Sequence, residues 1–158
     1  MHSSRRKVGK SSAVAVRQMS ESDISAALSI LEESPEAVIW ARASLLDSLA
    51  HGIALAAELD GQVRGFLFGR IAADEFEILN LAVGKQDRRR GIATQLVTTA
   101  IESARGAGVR QTYLEARASN KGGIAFYERV GFRVCGRRPN YYRDPVEDAV
   151  LLAYTDVE

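Results

Sequence analysis

Three arginines at the entrance to a helix, a glutamate inside an apolar strand and a tyrosine on a later helix stand out as chemistry-bearing residues. The arginines lie in Leu79-Asn80-Leu81-Ala82-Val83-Gly84-Lys85-Gln86-Asp87-Arg88-Arg89-Arg90-Gly91-Ile92-Ala93. A helix beginning near Gly91 presents unpaired backbone N–H groups and the positive end of its dipole, and small residues let a pyrophosphate approach the main chain. Arg88, Arg89 and Arg90 add charge-assisted hydrogen bonds. Taken alone, an Arg-Arg-Arg run also reads as a solvated helix entrance; its place between an apolar strand and a long amphipathic helix favours the anion cradle. No Gly-Lys-Ser/Thr follows and no G-x-G-x-x-G is present, so this is neither a Walker loop nor a dinucleotide fingerprint. Glu115 follows Tyr113 and Leu114, where burying a carboxylate is costly unless it is paired or solvated. Two readings stand open: a partner of Arg117 on the same strand face, or a base. Tyr127, between Phe126 and Val130, reads either as core or as a hydroxyl in the N-terminal half of its helix that protonates a leaving group.

These residues need a scaffold, and the apolar periodicity supplies it. Residues 14–19 read as a strand. Ser20, Glu21, Ser22 and Asp23 provide N-cap chemistry for a helix carrying Ile24, Ala27, Leu28 and Leu31, which stops near Ser34-Pro35. A second helix with Leu45, Leu46 and Leu49 ends at His51-Gly52, where the glycine is expected to take a left-handed cap. Residues 53–59 and 62–71 form a hairpin across Asp60-Gly61, and residues 76–83 continue the meander. A helix carrying Ile92, Leu96, Ala100 and Ala104 follows, ending at Gly106-Ala107-Gly108. Residues 109–116 are a strand, Ser119-Asn120 caps a helix with Ile124, Tyr127 and Val130, and Gly131 ends it. Strands from Phe132 and over residues 146–154 complete the chain, with Tyr141 and Tyr142 expected in the loop between them. The order β-α-α-β-β-β-α-β-α-β-β implies an α/β fold with a mixed, mostly antiparallel sheet, parallel at its centre, and helices on both faces.

The chain has 158 residues, 46% of them hydrophobic, which suits one domain. Its formal charge of +1 offers no global field for nucleic acid or an acidic membrane. No apolar run approaches the roughly 20 residues of a membrane helix. Residues 1–12, with Arg5, Arg6, Lys7 and Lys10 and no apolar stretch behind them, read as a disordered basic tail rather than a secretory signal, leaving residues 13–158 as the folded domain. The single cysteine, Cys135, is expected to be a small buried hydrophobe and fits a reducing cytoplasm. With His2 and His51 as the only histidines, no metal site and no histidine-centred triad is expected.

Arg88-x-x-Gly91-x-Ala93 resembles the pyrophosphate motif of GNAT acetyltransferases: Gln or Arg, two residues, Gly, one residue, then Gly or Ala. Leu114-Glu115-Ala116-Arg117-Ala118-Ser119-Asn120, Ala125-Phe126-Tyr127-Glu128-Arg129-Val130-Gly131-Phe132, Arg138-Pro139-Asn140-Tyr141-Tyr142 and Glu147-Asp148-Ala149 extend the likeness to the ribosomal-protein alanine N-acetyltransferases of the RimI type. The resemblance spans about residues 14–154 and implies an acetyl-CoA-dependent N-acetyltransferase. It implies that Leu81, Ala82 and Val83 contact pantetheine and acetyl through their main chain. Arg88, Arg89, Arg90, Gly91, Ile92, Ala93 and Thr94 would hold the pyrophosphate, and Asn120 the pantetheine arm. Glu115 would be the general base, through water, because an α-amine with a pKa of about 8 is mostly protonated near neutral pH. Tyr127 would be the general acid at the departing sulfur. A backbone N–H of the 81–83 strand, freed by a bulge there, would bind the oxyanion. Trp40, Tyr141 and Tyr142 would flank the acceptor, a protein or peptide N-terminus such as that of a ribosomal protein, although the paired tyrosines read equally as packing.

The chain departs from the family at Lys85, often proline; at Arg89, often glycine; and at Ile39-Trp40-Ala41, where many members carry Pro-Trp-Ser in the substrate-facing helical pair. Alternatives are acetylation of a small-molecule amine or of a lysine side chain, an acyl-CoA-binding regulatory module without turnover, and an RNA-binding accessory protein. Glu115 and Tyr127 together argue against the third, and the near-zero charge against the last.

Overall fold

The computed structural model describes residues 13–34 and 40–156. The expected tail over residues 1–12, together with Pro35 and Ile39, lies outside the described residues. The elements are β1 (Ala15–Gln18), α1 (Ile24–Glu32), α2 (Arg42–His51), β2 (Ile53–Leu59), β3 (Gln62–Ala72), β4 (Glu75–Val83), α3 (Ile92–Gly106), β5 (Gln111–Arg117), α4 (Lys121–Val130), β6 (Arg133–Tyr142) and β7 (Glu147–Thr155). This is the element order expected from the sequence. Short 3₁₀ turns, Glu21–Asp23 and Lys85–Asp87, precede α1 and α3.

The seven strands form one sheet in the order β1-β2-β3-β4-β5-β7-β6. Strands β4 and β5 pair parallel and the other neighbours antiparallel. Alternate residues of β2 and β3 feed two separate cores, as strand geometry requires. Leu55, Ala57 and Leu67 pack with Leu96, Val97 and Ala100 of α3. Ala54, Ala56, Phe66 and Phe68 pack with Ile24 and Ala27 of α1 and Leu45 of α2. Fully burying each large side chain of α3, such as Ile92, Leu96 or Val97, contributes about 1.5–3 kcal/mol. Helix propensities differ by only tenths of a kcal/mol among ordinary residues, so packing decides where this helix lies.

Several local expectations are corrected. Gly52 has φ −125°, extended rather than left-handed. Its glycine is required by close approach instead, because a Cβ there would lie 2.4 Å from the Gly69 carbonyl oxygen. Tyr141 and Tyr142 belong to the end of β6, not to a loop. Tyr127 is the seventh residue of the ten in α4, in its C-terminal half. Cys135 is exposed, since β6 is the edge strand of the sheet.

The feature that shapes the site is a split at the centre of the sheet. Strands β4 and β5 pair only from Glu75↔Gln111 to Ile78↔Leu114. Beyond that point β4 stays with β3 up to Val83↔Gly65, and β5 stays with β7 up to Arg117↔Ala149. The register against β3 jumps from Gly69↔Ile78 to Phe68↔Asn80, leaving Leu79 as an extra residue. Such a bulge bends its strand and turns β4 away from β5. It lies at Leu79, upstream of the 81–83 segment where the sequence reading placed it.

Candidate active site

Two clefts lie next to one another along β4 and α4, with no lining residue in common. The larger, about 390 Å³, runs from Val83 across the β4–α3 loop and the first turn of α3, with Phe126, Arg129 and Val130 of α4 on its other wall. Of the loop residues expected there, Arg88, Arg89, Gly91, Ile92, Ala93 and Thr94 line it, and Arg90 does not. Gly91 caps α3 with φ +75°, and a Cβ on it would meet nothing within 4 Å. The first intrahelical bond runs from the Gln95 N–H to the Gly91 carbonyl, so the N–H groups of the preceding turn have no helical acceptor and face an open space. A diphosphate fits this cradle: backbone donors, the helix dipole and arginines converge where a side chain at residue 91 would intrude.

Arg89 has φ +68°. A left-handed conformation costs an L-residue roughly 1–2 kcal/mol, which gives the family's frequent glycine at this position a physical reason. Arg88 donates to the Glu33 carbonyl oxygen at the end of α1 (3.3 Å), and Arg90 lies 3.9 Å from the buried Asp87 carboxylate. The loop is thereby tied to α1 on one side and opens onto the cleft on the other.

The smaller cleft, about 80 Å³, lies between the diverging strands. Leu79, Asn80 and Leu81 form one wall, Glu115 and Arg117 the other, with Asn120, Tyr127 and Tyr142 closing it. Beyond the split, the edge of β4 that faces β5 has lost its partner strand. In an antiparallel ladder alternate N–H groups already point away from the partner, so donors reach this cleft without a further bulge. The Glu115 side chain is 19% exposed, and its Oε1 lies 3.4 Å from Nε of Arg138. The pairing with Arg117 considered from the sequence is not formed; Arg117 pairs with Glu147 at 3.3 Å and stacks over the Tyr142 ring. Burial pushes the Tyr142 phenol up to about 12 and raises that of Tyr127 further, so both stay protonated at neutral pH. Phe126 and Phe132 hold the Tyr127 ring edge-on at 5.1 and 5.4 Å. Asn120 caps α4, its Oδ1 accepting the Gly123 N–H at 3.0 Å.

Glu115, Tyr127, Asn120, Leu81 and Tyr142 are thus brought together, and the arginine loop lies beside them at Val83. Ala82 is buried in the core beneath α1 and α2. Trp40 packs in that same core with its ring 5.8 Å from Phe68, and lines neither cleft. Tyr141 is 48% exposed at the rim. The sequence reading did not single out Asp87, Asn80, Phe126, Arg129, Val130 or Arg138 as site residues. For Arg138 a signal existed, since it opens the Arg-Pro-Asn-Tyr-Tyr stretch already noted. Among the described residues no group of three His, Cys, Asp or Glu is placed to hold a metal ion, and no helix is long and apolar enough to cross a membrane.

The family model described as acetyltransferase (GNAT) family matches residues 17–132. The ribosomal protein bS18-alanine N-acetyltransferase of Escherichia coli strain K12 is 35% identical over 96 residues, 60% of this chain. That alignment spans 65% of the relative's length. The enzyme of the same name from Salmonella typhimurium is 31% identical over 138 residues, covering 85% of this chain and 93% of the relative. A crystal structure of the Escherichia coli ribosomal-protein alanine N-acetyltransferase superposes with a TM-score of 0.81 at 26% identity, covering 92% of this chain and 96% of that one. With a split mixed sheet, a helix-mouth cradle and a family match over most of its length, the chain belongs to the GNAT acetyltransferase family.

Proposed function

We propose that this chain transfers the acetyl group of acetyl-CoA directly to the α-amine of a protein N-terminus, with the N-terminal alanine of a ribosomal protein as its acceptor class. The observation that carries this reading is a pair of neighbouring clefts along β4 and α4: Val83 and Phe126 line the larger, Leu81 and Tyr127 the smaller. In the smaller cleft Glu115 and Tyr127 line the same space. Acetyl-CoA supplies an activated thioester; the steps follow from the chain's own groups. Glu115 accepts the proton of the amine through a water as nitrogen bonds to the acyl carbon. The N–H groups on the free edge of Leu81 to Val83 stabilise the carbonyl oxygen as it gains charge. Tyr127 donates its proton to sulfur as the C–S bond breaks, leaving an amide and free coenzyme A. Its raised pKa keeps that proton available.

Tyr127→Phe is expected to lower kcat by roughly a hundredfold, the low end of the usual span for a general acid, while acetyl-CoA affinity stays near wild type. Stopped-time assays and calorimetry separate the two. A variant with wild-type kcat would leave Tyr127 only its packing role against Phe126 and Phe132.

The sheet face beside Glu115 favours an extended peptide over a small enclosed amine, because among the described residues α1 and α2 pack on β2, β3 and β4 rather than on β5. A peptide lying there has its terminal amine fixed against the thioester, a gain in effective concentration that a free polyamine lacks. Peptides beginning with alanine or serine should therefore be acetylated at the α-amine at least about tenfold faster than matched peptides with a blocked terminus and a free lysine. Mass spectrometry of the products decides this. Predominant lysine modification, or turnover of small amines alone, would overturn the acceptor assignment.

A further inference from the structure

The geometry points to Arg138 as a positioning residue: a fixed cation beside Glu115 that keeps the incoming amine neutral and nucleophilic. The inference rests on the reading that Glu115 takes the acceptor's proton. The β6–β7 register passes from Arg138↔Ala149 to Tyr142↔Glu147, so three residues of β6 arch opposite the single Asp148. Asp148 pins this arch by accepting the Asn140 N–H at 2.9 Å and the Arg137 guanidinium at 2.7 Å. Those bonds hold its carboxyl below the usual range. Arg138 stands at the foot of the arch, with Nε 3.4 Å from Glu115 Oε1 and its guanidinium 5.7 Å from the Tyr141 ring centre. The Glu115 carboxylate also lies near enough to the Tyr141 phenol, at the other end of the arch, to raise the phenol's pKa.

The neighbouring charges have partners of their own. Arg70 of β3 pairs with Glu77 of β4 at 3.0 Å, and Arg117 of β5 with Glu147 of β7. Tyr127 of α4 and Tyr142 of β6 are neutral at physiological pH. The electrostatics at the amine position therefore turn on Glu115 and Arg138. A carboxylate alone attracts the amine but favours its protonated form, which cannot attack. A guanidinium at the same carboxylate offsets that preference, because like charge disfavours ammonium. Arg138 keeps its own proton throughout, and the proton leaving nitrogen goes to Glu115.

The test compares wild type, Arg138→Gln and Arg138→Lys with acetyl-CoA and an alanine-first peptide, from about pH 6.5 to 9.5, a range spanning the α-amine pKa of about 8. Arg138→Gln should have about tenfold lower kcat at pH 7, equivalent to one pK unit at the amine, with an unchanged or lower KM. The deficit should vanish toward the alkaline end, and Arg138→Lys should follow the wild-type profile. The Arg138 side chain is 56% exposed, so the fold should tolerate both changes. A loss of equal size at every pH, a lysine variant as impaired as the glutamine one, or no loss at all would each overturn the proposal. Glu115→Gln, measured in parallel, reports on the base separately. A wild-type rate there removes Glu115 as the base, whereas the Arg138 profiles decide the positioning role.

Discussion

Glu115→Gln is expected to lower kcat by about a hundredfold or more near pH 7, within the range assigned to a positioned general base. The loss should be largest at low pH and should shrink as the pH rises past the amine pKa of about 8, where the acceptor is neutral without help. The structure makes the variant interpretable. Glu115 is held in the β5–β7 ladder opposite Leu151, and glutamine preserves its length and packing. The ion pair it surrenders to Arg138 is 3.4 Å long with the arginine more than half exposed, a class of interaction worth about 0–1 kcal/mol. An unchanged melting temperature beside a pH-dependent loss of turnover would therefore locate the defect in chemistry. Wild-type rates from low to high pH would mean that Glu115 serves only as the partner of Arg138.

The separation between what sequence reveals and what it conceals runs along the line between local and non-local interactions. Asp60-Gly61 announced a hairpin, and both residues adopt positive φ, 52° and 75°. The Arg88 to Ala93 spacing announced a helix beginning near Gly91, because a helix start is a property of a few consecutive residues. The split between β4 and β5 had no such signal. It follows from a bulge at Leu79, where neither glycine nor proline marks the irregularity, and from β5 choosing β7 as its other neighbour. That same strand order makes β6 an edge and exposes Cys135, whose type alone suggested burial. Likewise the partner of Glu115 is not the nearby Arg117 but Arg138, delivered from two strands away by the arch. Phe126, Arg129 and Val130 reach the cradle only because α4 docks beside α3 across the cleft. Residues that touch through tertiary packing alone leave no trace in spacing.

Gly91→Val is expected to weaken acetyl-CoA binding by at least about a hundredfold, equivalent to some 2.7 kcal/mol. Two effects combine at this residue. Its φ of +75° is a conformation that a β-branched side chain resists, at a cost of about 1–3 kcal/mol. The new methyl groups would also project into the space beside the first turn of α3, where the cradle must admit a phosphate close to the backbone. Gly91→Ala separates the effects, because it carries much of the strain with little of the bulk. Strain acts on the folded protein whether or not ligand is present, and for a domain of this size it should lower Tm by a few degrees in both variants. Obstruction acts on binding alone, so the valine variant should lose far more affinity in calorimetry than the alanine variant at a similar Tm. Equal and small losses in both would show that the backbone at residue 91 is not approached by the pyrophosphate. The arginines of the loop would then have to hold that group unaided.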